Sequence, residues 1–171
     1  MKGFTIFFAM LVGSLALAIG LAIYDLTVRE LDLSSTASQS QYAIYAADTG
    51  AECALYWDFK CPDADGCAIS SAFATSTSNK WNGRAFPPTT GIICNSVPIP
   101  VTPEFTNPAA ATTTFTFQIP SGGVQTYCTS VTVAKSGTPI KTTITSKGYN
   151  AKCPSDGAAP NRLERVLYVN Y

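Results

Sequence analysis

The stretch from Phe4 to Tyr24 contains no charged residue, and it constrains the chain more than any other feature. Phe4-Thr5-Ile6-Phe7-Phe8-Ala9-Met10-Leu11-Val12 continues through Leu15, Leu17, Ile19, Leu21 and Ile23, with Thr5 and Ser14 as its polar side chains before Tyr24. At about 1.5 Å per residue, a helix of this length reaches roughly 31 Å, the thickness of a bilayer's hydrocarbon core. A core helix of a globular domain needs a polar face, and this segment has none. A cleaved secretory signal is the competing reading, with Met1-Lys2 as the charged part and Ala16-Leu17-Ala18 before a cut at Ile19. Against it, the helical pattern runs on well past that point, because no proline occurs before Pro62. With Lys2 on the cytoplasmic side, the positive-inside tendency places everything after Trp57 outside.

From Asp25 to Trp57 the same helix is expected to emerge into water, marked by Asp25, Arg29, Glu30 and Asp32. An apolar stripe follows at spacings of three, four and seven: Leu26, Leu33, Ala37, Ile44, Ala47, Ala51 and Leu55. Its second half is expected to pack on the chain's own domain, and its first half to face other subunits. Ser34-Ser35-Thr36 and Ser38-Gln39-Ser40-Gln41 are weak helix formers, so a bend or loosening is expected there.

After Trp57 the character changes. All 11 prolines lie in this region, amid dense Thr and Ser. Strand signals rich in Thr, Val, Ile, Phe or Tyr cover Thr113–Ile119, Val124–Ala134, Pro139–Ser146 and Leu163–Asn170. Ser121-Gly122-Gly123 and Lys135-Ser136-Gly137-Thr138 read as turns between them. Short connections predict a four-stranded antiparallel meander, covered on one face by the exit helix. Cys61 to Asn107 reads as loop, with one or two short strands around Gly91–Cys94. The fold class expected is α+β.

Six cysteines, Cys53, Cys61, Cys67, Cys94, Cys128 and Cys153, fit disulfides formed in an oxidising compartment, with all six paired within the chain. No Cys-x-x-Cys pair occurs, which disfavours zinc-ribbon and thioredoxin-like chemistry. The spacing leaves the pairing open; Cys61–Cys67 is the local pair expected first. Asp63-Ala64-Asp65-Gly66 is similar to the opening of a calcium loop, but the later glutamate of an EF-hand is missing, and a solvated turn is the favoured reading. Asp58, Asp63 and Asp65 supply carboxylates without an accompanying base, nucleophile or pocket motif. The chain has no histidine, which excludes Ser–His–Asp, Cys–His and His-ligated metal sites. Eleven basic residues balance eleven acidic ones, so the basic excess of a nucleic-acid binder is absent. No cofactor motif occurs, and an enzyme is not expected.

Gly3-Phe4-Thr5 followed directly by a long apolar helix resembles the start of type IV pilins and of type II secretion pseudopilins. The resemblance implies a prepilin peptidase cut after Gly3, leaving residues 1–3 as leader, with N-methylation of Phe4. It also implies a helix divided into a membrane or filament-core part, 4–24, and an amphipathic part, 25–57, followed by a sheet domain, 58–171. Ala46-Ala47-Asp48-Thr49-Gly50-Ala51-Glu52-Cys53-Ala54 is similar to the late helix of minor pilins. Ser146-Lys147-Gly148-Tyr149 and Arg162-Leu163-Glu164-Arg165-Val166 resemble their closing pair of strands.

Two departures stand out. The leader Met1-Lys2-Gly3 is short for the family, and Phe8 stands at the fifth mature position, where the family has glutamate. That carboxylate serves to neutralise a neighbour's amino terminus, so its absence implies a minor subunit at a filament tip. Phe8, Leu26, Leu33 and Ala37 are the packing residues expected. The partners implied are other pilin or pseudopilin subunits, the peptidase and the cytoplasmic membrane before assembly. A single-pass, membrane-anchored surface domain that binds a ligand or adheres is the alternative function.

Overall fold

A computed structural model of the chain describes residues 2–59, 71–74, 91–107, 109–120, 126–153 and 162–171. A helix, α1 (Lys2–Phe59), precedes seven strands: β1 (Ile92–Cys94), β2 (Val97–Ile99), β3 (Thr102–Asn107), β4 (Ala110–Pro120), β5 (Thr126–Ser136), β6 (Lys141–Tyr149) and β7 (Glu164–Asn170). The architecture is α+β, a long amino-terminal helix packed on antiparallel sheets. Two compact units divide the chain, Met1–Ser38 and Gln39–Tyr171. In the first, every described side chain from Phe4 to Ser38 is exposed. The second contains the core.

α1 runs 58 residues without interruption and stops short of Pro62, the first proline. The helix continues through residues 34–41 despite their weak propensity. Propensity losses of a few tenths of a kcal/mol per residue are small beside tertiary contacts, and several polar side chains here are engaged. The Thr36 hydroxyl donates back to the Asp32 carbonyl at 2.9 Å, Asn150 Nδ2 donates to Gln39 Oε1 at 3.2 Å, and Arg165 Nε donates to Ser40 Oγ at 2.9 Å.

β1 and β2 form a hairpin closed by Asn95-Ser96, both at positive φ (52° and 62°), the backbone of a type I′ turn. The main sheet has five strands in the order β3-β4-β5-β6-β7, all antiparallel. The meander expected from sequence is therefore one strand short. Thr102–Asn107, read as loop, is an edge strand, and Pro103 hid it. A proline removes one donor from a ladder and is tolerated at a sheet edge. The ladders also correct the turn read at Lys135-Ser136-Gly137-Thr138: Lys135 and Ser136 close β5, and the turn occupies residues 137–140, which include Pro139. Ser121-Gly122-Gly123 lies outside the described residues.

Alternation along the strands sends Ala111, Thr113, Phe115 and Phe117 of β4, Val131 and Val133 of β5, and Ile144 of β6 inward. Against them α1 buries Ala43, Ala46, Ala47, Ala51, Ala54 and Trp57. In the half of the stripe expected to pack on the chain's own domain, Ala47 and Ala51 are buried, but Ile44 is exposed and Leu55 is half-buried, so the buried face is displaced toward the alanines. Leu26, Leu33 and Ala37, in the half expected to face outward, are exposed. The helix presents its smallest residues to the sheet because the backbones approach closely. A Cβ on Gly148 would overlap the Ala43 carbonyl and the Ala47 amide, and one on Gly50 would overlap the Thr129 and Ser146 hydroxyls and Val131. The Ser146 hydroxyl occupies this narrow gap, donating to the Ala47 carbonyl at 2.6 Å while lying 3.2 Å from Thr129 Oγ1.

Gly148→Ala should therefore force α1 off the sheet. Overpacking of this kind costs about 1–3 kcal/mol, and more where the obstacle is backbone. Denaturant unfolding of the detergent-solubilised chain is expected to show a lower midpoint for Gly148→Ala, with Gly20→Ala, an open helical position where an added Cβ meets nothing within 4 Å, as the comparison.

Candidate functional site

Two features of α1 bear on function: an uncovered apolar surface on its first part, and a clamp that fastens its end to the sheet unit. The apolar surface includes Phe4, Phe7, Phe8, Met10, Leu15, Leu17, Leu21 and Ile23, each more than half exposed. An 18-residue window here reaches a mean hydropathy of 2.6 with none of it buried, so α1 is long and apolar enough to span a membrane. Gly3 and Phe4, the residues at the expected cut, lie in the first turns of α1, with Phe4 75% exposed. Phe8, Leu26, Leu33 and Ala37 are likewise exposed.

The clamp is built from four attachments. Cys53 of α1 is bonded to Cys94 of β1, closing a loop across 41 positions. One turn further along, the Trp57 indole N–H donates to the Ile93 carbonyl at 2.9 Å. The amide of Ala72 then donates to the Trp57 carbonyl at 2.8 Å, which satisfies one of the acceptors that a helix end leaves unpaired.

The fourth attachment is a buried polar cluster on Asp58. Lys135 Nζ, from β5, and the Ser71 hydroxyl both donate to Asp58 Oδ1, and Lys135 Nζ also lies 3.0 Å from Ser71 Oγ. The Tyr171 hydroxyl donates to Asp58 Oδ2 at 2.5 Å. Asp58 and Lys135 are each only 5% exposed. Burial and the hydrogen bond to Asp58 push the Tyr171 hydroxyl well above the ordinary tyrosine range, so it stays protonated and remains a donor. Tyr149, stacked under the Arg162 guanidinium at 4.3 Å, is also raised, first by burial and then by Glu164.

A second disulfide, Cys128–Cys153, ties the segment after β6 to β5 across 25 positions. Cys61, Cys67, Asp63 and Asp65 lie outside the described residues, so the expected Cys61–Cys67 pair and the acidic turn do too. Among the described residues all four cysteines are paired. The Asp58 cluster was not anticipated. Among the described residues nothing near Asp58 in sequence pairs with it, and Lys135-Ser136-Gly137 has the composition of a turn. The available signal was Lys135 itself, at an inward position in register with Val131 and Val133. Comparison with protein families, curated proteins and solved structures finds no match to the chain.

Removing one member of a buried ion pair strands the other, typically at about 3–5 kcal/mol. Asp58→Ala is therefore expected to cost several times more stability than loss of the exposed pair Arg29–Asp25, as measured by denaturant unfolding.

Alkaline pH tests the Tyr171 link independently. Because the folded-state pKa is raised, the folded protein keeps a proton that the unfolded chain releases. The contribution of Tyr171 is thus complete below about pH 10, the ordinary tyrosine pKa, and declines as pH rises beyond it. Tyr171→Phe should flatten this alkaline loss in a series of unfolding midpoints, leaving the smaller share due to Tyr149.

Proposed function

We propose that this chain is a pilin-like structural subunit, held in the cytoplasmic membrane by the first part of α1 and then assembled into a filament by packing that same surface against other subunits. One observation carries the reading: a single uninterrupted helix whose uncharged first part is wholly exposed and whose second part is fastened onto a disulfide-stapled sheet. A continuous apolar surface of this size marks an interaction site, because exposed apolar area costs about 25 cal/mol per Å² in water. Lipid tails satisfy it before assembly, and the helices of neighbouring subunits satisfy it afterwards. The role is structural. It requires no catalytic group, in keeping with a chain that has no histidine.

The Gly3-Phe4 junction and the similarity to minor pilins support processing after Gly3 and methylation of Phe4. Phe8 supports a place at the tip. A carboxylate buried there without a neighbouring amine would be costly, whereas a phenyl ring is at home among apolar helices.

Mass analysis of the mature amino terminus and of sheared extracellular filaments is the test. The expected result is N-methyl-Phe4 on a protein recovered in the filament fraction at a few copies per filament. An intact Met1 on a chain confined to the membrane fraction would overturn the filament reading in favour of an anchored surface domain. A start at Ile19 would show the first segment to be a cleaved signal. A copy number matching the main subunit would remove the tip assignment while leaving the subunit role in place.

A further inference from the structure

The Asp58 cluster has more than the composition of an ion pair. Lys135 Nζ touches Asp58 Oδ1, and both residues are 5% exposed, with Trp57, Phe73 and Thr142 beside them in sequence or register also buried; Ser71 and Tyr171 lie at the edge of the cluster, where it reaches solvent. Ser71 Oγ bridges the pair, accepting from Lys135 Nζ at 3.0 Å and donating to the same Asp58 Oδ1. On the opposite side of the carboxyl group, the Tyr171 hydroxyl donates to Oδ2 at 2.5 Å. A nucleophilic nitrogen, a hydroxyl relay to one carboxyl oxygen and a donor on the other are the three parts that amide formation requires.

We propose that Lys135 and Asp58 condense within the folded protein into an intramolecular amide (isopeptide) bond between Nζ and Cγ. A proton first passes from the Lys135 ammonium to Oδ1 along the existing hydrogen bond, giving an amine and a carboxylic acid. The Nζ lone pair attacks Cγ, and the carbonyl electron pair moves onto Oδ2, where the Tyr171 O–H stabilises it as an oxyanion-hole donor does. Ser71 Oγ takes a proton from Nζ and passes its own to Oδ1. The Cγ–Oδ1 bond then breaks, Oδ1 leaves as water, and the carbonyl at Oδ2 re-forms. One ammonium and one carboxylate become one amide and one water, with no oxidant or other reactant. Burial favours this outcome, because it replaces two charges that are expensive to keep out of water with a neutral group. The bond would fasten the end of α1 to β5 covalently, beside the disulfide from Cys53 to β1.

Intact-mass measurement on the full chain, purified, reduced, alkylated and denatured, reads the bond directly. The expected mass is that of the processed sequence less one water, with peptide mapping that recovers the Asp58 and Lys135 peptides linked and finds no tryptic cleavage after Lys135. Lys135→Arg keeps a cation beside Asp58 without supplying the amine, and should restore the full mass. Tyr171→Phe should slow formation after refolding by about 10²–10³-fold, the usual effect of removing an oxyanion donor. A full mass in the native chain with normal cleavage after Lys135 would overturn the proposal. So would a water loss mapped to Asp65-Gly66 or Asp156-Gly157, where succinimides form, or one that persists in Lys135→Arg.

Discussion

The sheet unit depends on how closely α1 lies to β6. Gly148 permits the approach by leaving the Ala43 carbonyl and Ala47 amide unobstructed, and Gly50 permits it from the helix side. Once the backbones are this near, only small side chains fit between them, which is why alanines and the Ser146 hydroxyl occupy the interface. The larger side chains are displaced to its margins. Phe115 and Phe117 stack beside Phe73, and Tyr42 stacks on Tyr127 with ring centroids 4.7 Å apart.

A seam of alanines buries little apolar area, and burial is the main favourable term in folding. The unit offsets this with covalent and polar attachments. Cys53–Cys94 and Cys128–Cys153 restrict the unfolded chain, each typically worth about 2–4 kcal/mol. The Asp58 cluster works differently. It contributes position more than net energy, because the desolvation of two charges offsets much of their attraction. Its four groups come from the helix end, the short segment 71–74, β5 and the residue after β7, so only the correct arrangement of all four satisfies them.

The sequence exposed the large elements because their signals are local. An uncharged run and a proline-free stretch mark α1, and alternation marks β4 to β7. What it concealed was set by distant partners. The buried face of α1 is only partly legible because hydrophobic periodicity weights Ile44 and Leu55 above Ala43, Ala46 and Ala54, whereas close packing selects for smallness. Lys135-Ser136-Gly137 has the composition of a turn, yet Lys135 pairs with Ala111 and Thr142 in the sheet, and its inward side chain is accommodated because Asp58, 77 positions away, receives its charge. Edge strand β3 was masked by Pro103, whose cost is low only at an edge. The apolar surface of α1 was legible from the outset, while the clamp at its far end was not.

The attachments of the helical segment 39–59 are distributed along its length. Gln39 and Ser40 are held by Asn150 and Arg165 at one end, Ala47 by Ser146 in the middle, and Cys53, Trp57 and Asp58 at the other. A pull applied along the helix axis therefore loads these contacts in parallel, in shear, instead of peeling them apart one after another. Bonds loaded in parallel share the force, and the non-covalent ones are backed by a disulfide that does not yield to it. The segment is built to stay attached under tension, with the sheet as its anchor plate.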